Sequence, residues 1–214
     1  MSTGATPTER PLRRDAARNR ELLVEAAATV FAEQGLDAGV DEVARVAGVG
    51  VGTLYRRFPT KDALIDALVQ DLLTSVVAAG REALARADGT GLESFLAYAA
   101  EHQARRRGCL PRLWAGDEVT EGLRREFRVV AAELLADAQA HGRVRGDLTS
   151  QDVSVVLWSI RGVIETTKDV APDAWRRHLE LLVIGLRPSD VRLSSPSLTA
   201  DQAQRVTTPA PRPR

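Results

Sequence analysis

Between positions 40 and 64 the chain reads VDEVARVAGVGVGTLYRRFPTKDAL, and no other stretch restricts the fold so tightly. Val43, Ala44 and Ala47 share one face at helical spacing, which predicts a helix over Val40–Ala47. Gly48 supplies the left-handed conformation that lets a helix stop and turn sharply. A second short helix is expected over 51–58, closed by Pro59. Ala44 lies four residues before the turn glycine, where a side chain larger than a methyl would hold the two helices apart. Thr60 is a natural N-cap for a third helix that starts at Lys61. This is the sequence form of a helix-turn-helix, whose second helix enters a DNA major groove.

The formal net charge of the 214 residues is +0, so a nucleic-acid footprint has to lie in how charge is distributed. Hydrophobic residues make up 44% and charged residues 27%, the balance of a soluble globular protein with a real core. Lysine occurs only at Lys61 and Lys168, and the abundance of Arg, Ala and Gly fits a bacterial genome of high GC content. Cys109 is the sole cysteine, which rules out an intrachain disulfide framework. His102, His141 and His178 lack zinc-ligand spacing. The reading finds no signal core and no apolar run of membrane-span length, so a cytoplasmic protein without a membrane partner is expected.

Taken in order, residues 1–14 are polar and basic and are expected to form a disordered arm. Arg18 extends that basic character into a first helix running from about Asp15 to Gln34, with rows Leu22, Ala26, Val30 and Leu23, Ala27, Phe31. Residues 15–60 form the helix-turn-helix domain. From Lys61 a long helix carries Leu64, Leu68, Leu72 and Val76 and reaches as far as Asp88-Gly89-Thr90-Gly91, a clear break. Further helices are expected over 92–107 and 119–141, with an apolar turn around Leu110, Leu113 and Trp114 between them. Two apolar helices follow, one capped by Thr149 and one after Pro172, completing a second domain over 61–187. Residues 188–214 are rich in Ser, Pro and Thr and are expected to be a disordered tail. No strand signal or fixed-period repeat is found, and the fold class is all-α.

These residues resemble the TetR family of bacterial transcriptional repressors. The resemblance rests on Phe31-Ala32-Glu33-Gln34-Gly35, Val40-Asp41-Glu42-Val43-Ala44 and Ala47-Gly48-Val49. Gly52-Thr53-Leu54-Tyr55-Arg56-Arg57-Phe58 and Thr60-Lys61-Asp62-Ala63-Leu64 complete it. The match covers the first third of the chain; the remainder is similar to the family's effector-binding and dimerisation domain only in helix count and layout. Gly39 departs from the hydroxyl cap common there, and Arg57 stands where the family often has His or Tyr.

On the second helix of the motif, Leu54 and Phe58 are expected to face inward, leaving Val51, Gly52, Thr53, Arg56 and Arg57 for DNA. Gly52 permits close approach of the backbone to the duplex. Val51 and the Thr53 methyl suit a thymine methyl, the Thr53 hydroxyl a base or a phosphate, and Arg56 or Arg57 a guanine or a phosphate. The resemblance implies that Tyr55 donates its hydroxyl to a phosphate. Thr60 and Lys61, at a helix start, and Arg18 are further phosphate candidates.

One such motif reads too few base pairs for specificity, so a homodimer on a pseudo-palindromic operator in double-stranded DNA is expected. Val153, Val156, Leu157, Ile160 and Ile164 on one helix, and Trp175, Leu179, Leu182, Val183 and Leu186 on the next, are the candidate interface; the competing account makes both stripes monomer core. Phe95, Tyr98, His102, Trp114, Phe127, Trp158, Arg161 and Glu165 combine aromatic walls with a few polar groups, and they mark the region expected to hold a small-molecule effector. The expected function is a DNA-binding transcriptional regulator, a repressor released by its effector, with no metal, cofactor or catalytic residue. The sequence carries no phosphate loop, nucleophile elbow or zinc motif. Two other readings stand beside it: a thiol-based redox sensor through Cys109, activated by the arginines at 105–107, and a helical protein-interaction module without DNA activity.

Overall fold

The computed structural model describes residues 9–113 and 118–207. Among these every regular element is helical: α1 (Glu9–Gln34), α2 (Val40–Ala47), α3 (Val51–Arg57), α4 (Lys61–Leu84), α5 (Gly91–Arg105), a 3₁₀ turn η1 (Arg107–Arg112), α6 (Glu118–Ala140), α7 (Ser150–Thr167), α8 (Ala174–Leu186) and α9 (Ala200–Thr207).

The small N-terminal unit forms because each boundary is locally encoded. Gly48 adopts φ 68°, and the amides of Gly48 and Val49 turn back onto the carbonyls of Arg45 and Ala44 at 3.2 and 3.0 Å. Those bonds satisfy the last carbonyls of α2 and reverse the chain within a few residues. Val43, Ala44 and Leu54 are almost wholly excluded from solvent and pack α2 and α3 onto Leu23, Ala27 and Phe31 of α1. Leu22 departs from the expected stripe and is 42% exposed. At the start of α4, Ala63 N donates to Thr60 Oγ1 at 3.0 Å, the cap expected there.

Helix α4 belongs to both units. Its first turns meet α1 and η1, and its remaining length packs on α5 and, most extensively, α6. By length and composition its 24 residues suffice to cross a bilayer, contrary to the sequence expectation that no run does. Its apolarity is used inside the molecule: Leu64, Leu68, Leu72 and Val76 are at most 4% exposed. α7 lies against α5 and α6, and α8 covers α7 and α5. Asp152 Oδ2 accepts from Thr149 N at 2.7 Å, holding the first turn of α7.

Two boundaries differ from the sequence reading. Helix α1 begins at Glu9, so residues 9–14 of the supposed disordered arm are helical, while residues 1–8 lie outside the described residues. Pro11 falls in the first turn, where a missing N–H costs no intrahelical bond, and does not delay the helix. The supposed disordered tail carries α9, and its approach is tied down. Arg145 donates from Nη2 to Val191 O at 2.5 Å, and Leu193 N donates to Asp147 Oδ2 at 3.3 Å. The Arg145 guanidinium beside Asp147 holds that carboxyl at about 2.

Candidate nucleic-acid interface and internal cavity

Recognition-type geometry on α3 follows from its two buried residues. Leu54 is wholly buried and Phe58 is 5% exposed, so they clamp one side of the helix to the core. The opposite side presents Val51, Gly52, Tyr55, Arg56 and Arg57 to solvent, with Thr53 half-buried beside them. Arg56 Nη2 donates to Thr53 Oγ1 at 3.0 Å, which fixes the direction of both side chains. Thr60 and Arg18 are exposed, and Lys61 reaches back so that its Nζ lies 5.7 Å from the Phe31 ring centroid.

Two acids of this unit are already paired. Glu42 accepts from Arg45 at 2.6 and 2.8 Å, and that bond holds its carboxyl below the usual range. Asp62, next to Lys61, receives Arg112 Nη1 from η1 at 2.9 Å. The cations at 18, 56, 57 and 61 therefore dominate the potential a phosphate backbone would meet.

The element η1 ties this unit to the rest of the chain, a role the sequence reading missed. Arg107 Nε donates to Ala32 O at 3.0 Å near the end of α1. Arg106 pairs with Asp71 of α4 and lies 3.8 Å from Glu25 of α1, while Arg112 also lies 3.5 Å from Asp66. Gly108 sits against α1 so closely that a Cβ there would be 2.2 Å from the Phe31 carbonyl. The sequence signal was the arginine run at 105–107, read there only as a possible activator of Cys109. That thiol is 2% exposed, and burial, opposed by Arg106 and Arg161, pushes it up to about 12. A thiol so placed is neither a thiolate nor accessible, which removes the physical basis of the redox-sensor reading.

A cavity of about 200 Å³ opens among α4, α5, α6, α7 and α9. Phe127, Trp158 and Arg161 of the expected ligand set line it, together with Leu72, Val76 and the buried Gln103. The remaining members fall elsewhere. Phe95 is packed in the core 5.5 Å from the Phe127 ring, where Gly80 lets α4 come close to Phe95 and Val130. Tyr98 and His102, one turn apart on α5, stack on each other at 3.9 Å and do not line the cavity. Burial lowers the His102 pKa. Glu165 also points away from the cavity lining, its Oε1 buried without a hydrogen-bond partner. Trp114 lies outside the described residues. Arg124 and Arg128 of α6 and the face of α9 complete the wall, and none was singled out from the sequence.

The stripes assigned to a dimer interface are turned inward. Val153, Val156, Leu157, Ile160, Ile164, Trp175 and Leu179 are at most 8% exposed within a single chain, and Leu182, Val183 and Leu186 are partly buried against the same core. They fill the space between α7, α8 and α5, so the monomer-core account describes them. The outward face of the same two helices carries Val155, Leu181 and Ile184, the last two 58% and 65% exposed.

Comparison with known proteins agrees with this architecture. Residues 23–68 match the bacterial regulatory proteins of the tetR family, and residues 87–188 match the C-terminal domain of SbtR-like transcriptional regulators. The transcriptional repressor KstR2 of Mycolicibacterium smegmatis is 29% identical over 161 residues, which is 68% of this chain and 75% of that protein. The crystal structure of a TetR transcription regulatory protein from Mycobacterium vanbaalenii is 35% identical and covers 83% of this chain and 99% of its own, with a TM-score of 0.64. The TetR transcriptional regulator SCO0520 from Streptomyces coelicolor is 31% identical, covering 79% and 99% with a TM-score of 0.62. A helix-turn-helix with a basic outward face, joined through α4 to a second helical domain of matching type, makes this chain a DNA-binding transcriptional regulator of the TetR family.

Proposed function

We propose that the protein is a repressor that binds a pseudo-palindromic operator as a homodimer and leaves it when a small molecule occupies the cavity. The observation that carries this is the set of bonds that runs from the cavity through η1 to α1 and to the first turn of α4, which follows α3 directly. Arg124 in the cavity wall donates to Leu113 O at 3.0 and 2.6 Å, at the end of η1. η1 in turn grips α1 through Arg107 and the first turns of α4 through Arg112. Lys61 opens α4 three residues after Phe58, the residue that closes α3, so a shift of η1 re-aims the recognition helix.

In the bound state Val51, Gly52 and Thr53 meet base edges, Arg56 and Arg57 meet guanine or phosphate, and Tyr55, Thr60, Lys61 and Arg18 meet phosphates. Two recognition helices have to lie about 34–36 Å apart to enter successive major grooves. The outward face of α7 and α8, with Val155, Leu181 and Ile184, is where a second copy would pack. A ligand that prefers a different setting of η1 and α4 shifts the population away from that spacing by its differential affinity for the two states.

The test is fluorescence anisotropy on DNA flanking the protein's own gene, with and without excess competitor DNA, at two salt concentrations. A specific complex persists against competitor at the higher salt and has the stoichiometry of two chains per site. Loss of the complex to any competitor sequence would overturn the reading.

A further inference from the structure

Resting on the effector reading above, we infer that the cavity takes an organic anion: an apolar body with a carboxylate or phosphate head group. Among the described residues three arginines line it, Arg124, Arg128 and Arg161, and no carboxylate does. Arg124 is 4% exposed, and its Nε and Nη2 are committed to the Leu113 carbonyl. Glu121 pairs with this group, 3.4 Å from Arg124 and 3.0 Å from Arg128. Burial works against its charge, but the bonds from Arg128 and Arg124 prevail and keep the carboxyl below its ordinary range. Arg161 has no share in that carboxylate, so it is the guanidinium of the wall that is open to an anion. Arg161, half-buried on α7, has no ion pair or hydrogen bond among the described residues. A guanidinium held at an apolar wall without an acceptor is complementary to a planar oxyanion, which it can engage through two parallel N–H bonds.

The rest of the described wall is apolar or neutral polar, the polar part being Gln103, Ser150, Gln151, Ser154, Gln204 and Thr207. Leu72, Val76, Leu157, Phe127 and Trp158 offer surface for a hydrocarbon or ring body, and the neutral polar groups carry no charge to compete with the arginines for an anionic head. α9 lies over the same space through Ala200, Ala203 and Gln204, so the occupant is enclosed between the C-terminal segment and α7. A cationic amphiphile of the same size would meet the arginine wall with like charge, and a neutral one would leave Arg161 desolvated without compensation.

The experiment is isothermal titration of the full-length protein with decanoate, decyl phosphate, decanol and decyltrimethylammonium, each below its micelle concentration. Decanoate or decyl phosphate should bind at least about tenfold more tightly than decanol, and the cation should not bind, the scale expected for a charge-assisted pair in a sheltered site. Which of the two anions binds better identifies the head group. Arg161→Gln should remove about tenfold from the anion and leave decanol unchanged, while Arg161→Lys keeps part of the preference. Unchanged thermal melting of both variants separates a lost contact from a lost fold. Equal affinity for decanoate, decyl phosphate and decanol, no binding of either anion, or an Arg161→Gln variant that binds them as the parent does would overturn the proposal. The same samples are put on operator DNA. If the anion binds through Arg161 but does not alter DNA affinity, the ligand class stands and effector release fails. If DNA binding is specific but no anion binds, the regulator stands and the ligand class fails.

Discussion

Replacing Gly52 with alanine should move stability and DNA affinity in opposite directions. Gly52 is in α3, exposed, and a Cβ built on it meets nothing within 4 Å. In the free protein the added methyl therefore costs no contact, and it removes the entropic penalty of glycine in a helix, about 0.8–1.0 kcal/mol. For a chain of this size that raises Tm by about 2–4 °C. On DNA the same methyl stands between the helix backbone and the groove. Pushing the backbone outward should cost about as much as one mismatched base pair, about 1–3 kcal/mol, or roughly 5- to 150-fold in affinity at each half-site. Thermal melting followed by fluorescence, and anisotropy on a labelled operator at fixed salt, measure the two effects on one sample. A Gly52→Ala protein that binds within about twofold of the parent would show that the backbone does not approach the duplex there. A lowered Tm would contradict the open geometry around the residue.

Four further outcomes are expected. Ile184→Asp with Leu181→Asp should leave the helical content intact and shift the species seen by sedimentation from dimer to monomer, because both side chains are more than half exposed on the single chain. Arg112→Gln should weaken operator binding several-fold at low salt and progressively less at high salt, since it frees Asp62 beside Lys61 to repel phosphate. Asp147→Asn should speed amide exchange in residues 189–207, because it removes the acceptor of both Arg145 and Leu193 N. For Cys109 the folded thiol titrates at about 12 against about 9 when free, so its contribution to stability is full below about pH 9 and is lost as pH rises from there. Urea melts over that range should show a decline that Cys109→Ala lacks, and thiol reagents at neutral pH should label the protein only when it is unfolded.

The sequence alone determined the helix-turn-helix, because every boundary there is set by a residue with a local conformational reason. Gly48 takes the left-handed turn, Pro59 ends α3, and Thr60 caps α4, whatever the rest of the chain does. Leu54 and Phe58 then had only one core to enter, which left the opposite side of α3 for solvent. Tertiary structure decided the rest. Periodicity in α7 and α8 revealed that Ile160, Ile164 and Trp175 are buried, but a stripe looks the same whether its own chain or a second copy covers it. Arg124 and Arg128 lie in the run EGLRREFR, whose local pattern does not say that they line a cavity with α7 and α9. α9 itself is too short to stand alone in water, and the bonds from Arg145 and Asp147 to the segment before it, with packing on α7, help hold it at the cavity. The reading head was written in local backbone chemistry. The cavity and its charge arise from contacts between residues 30 to 130 positions apart, which no local pattern encodes.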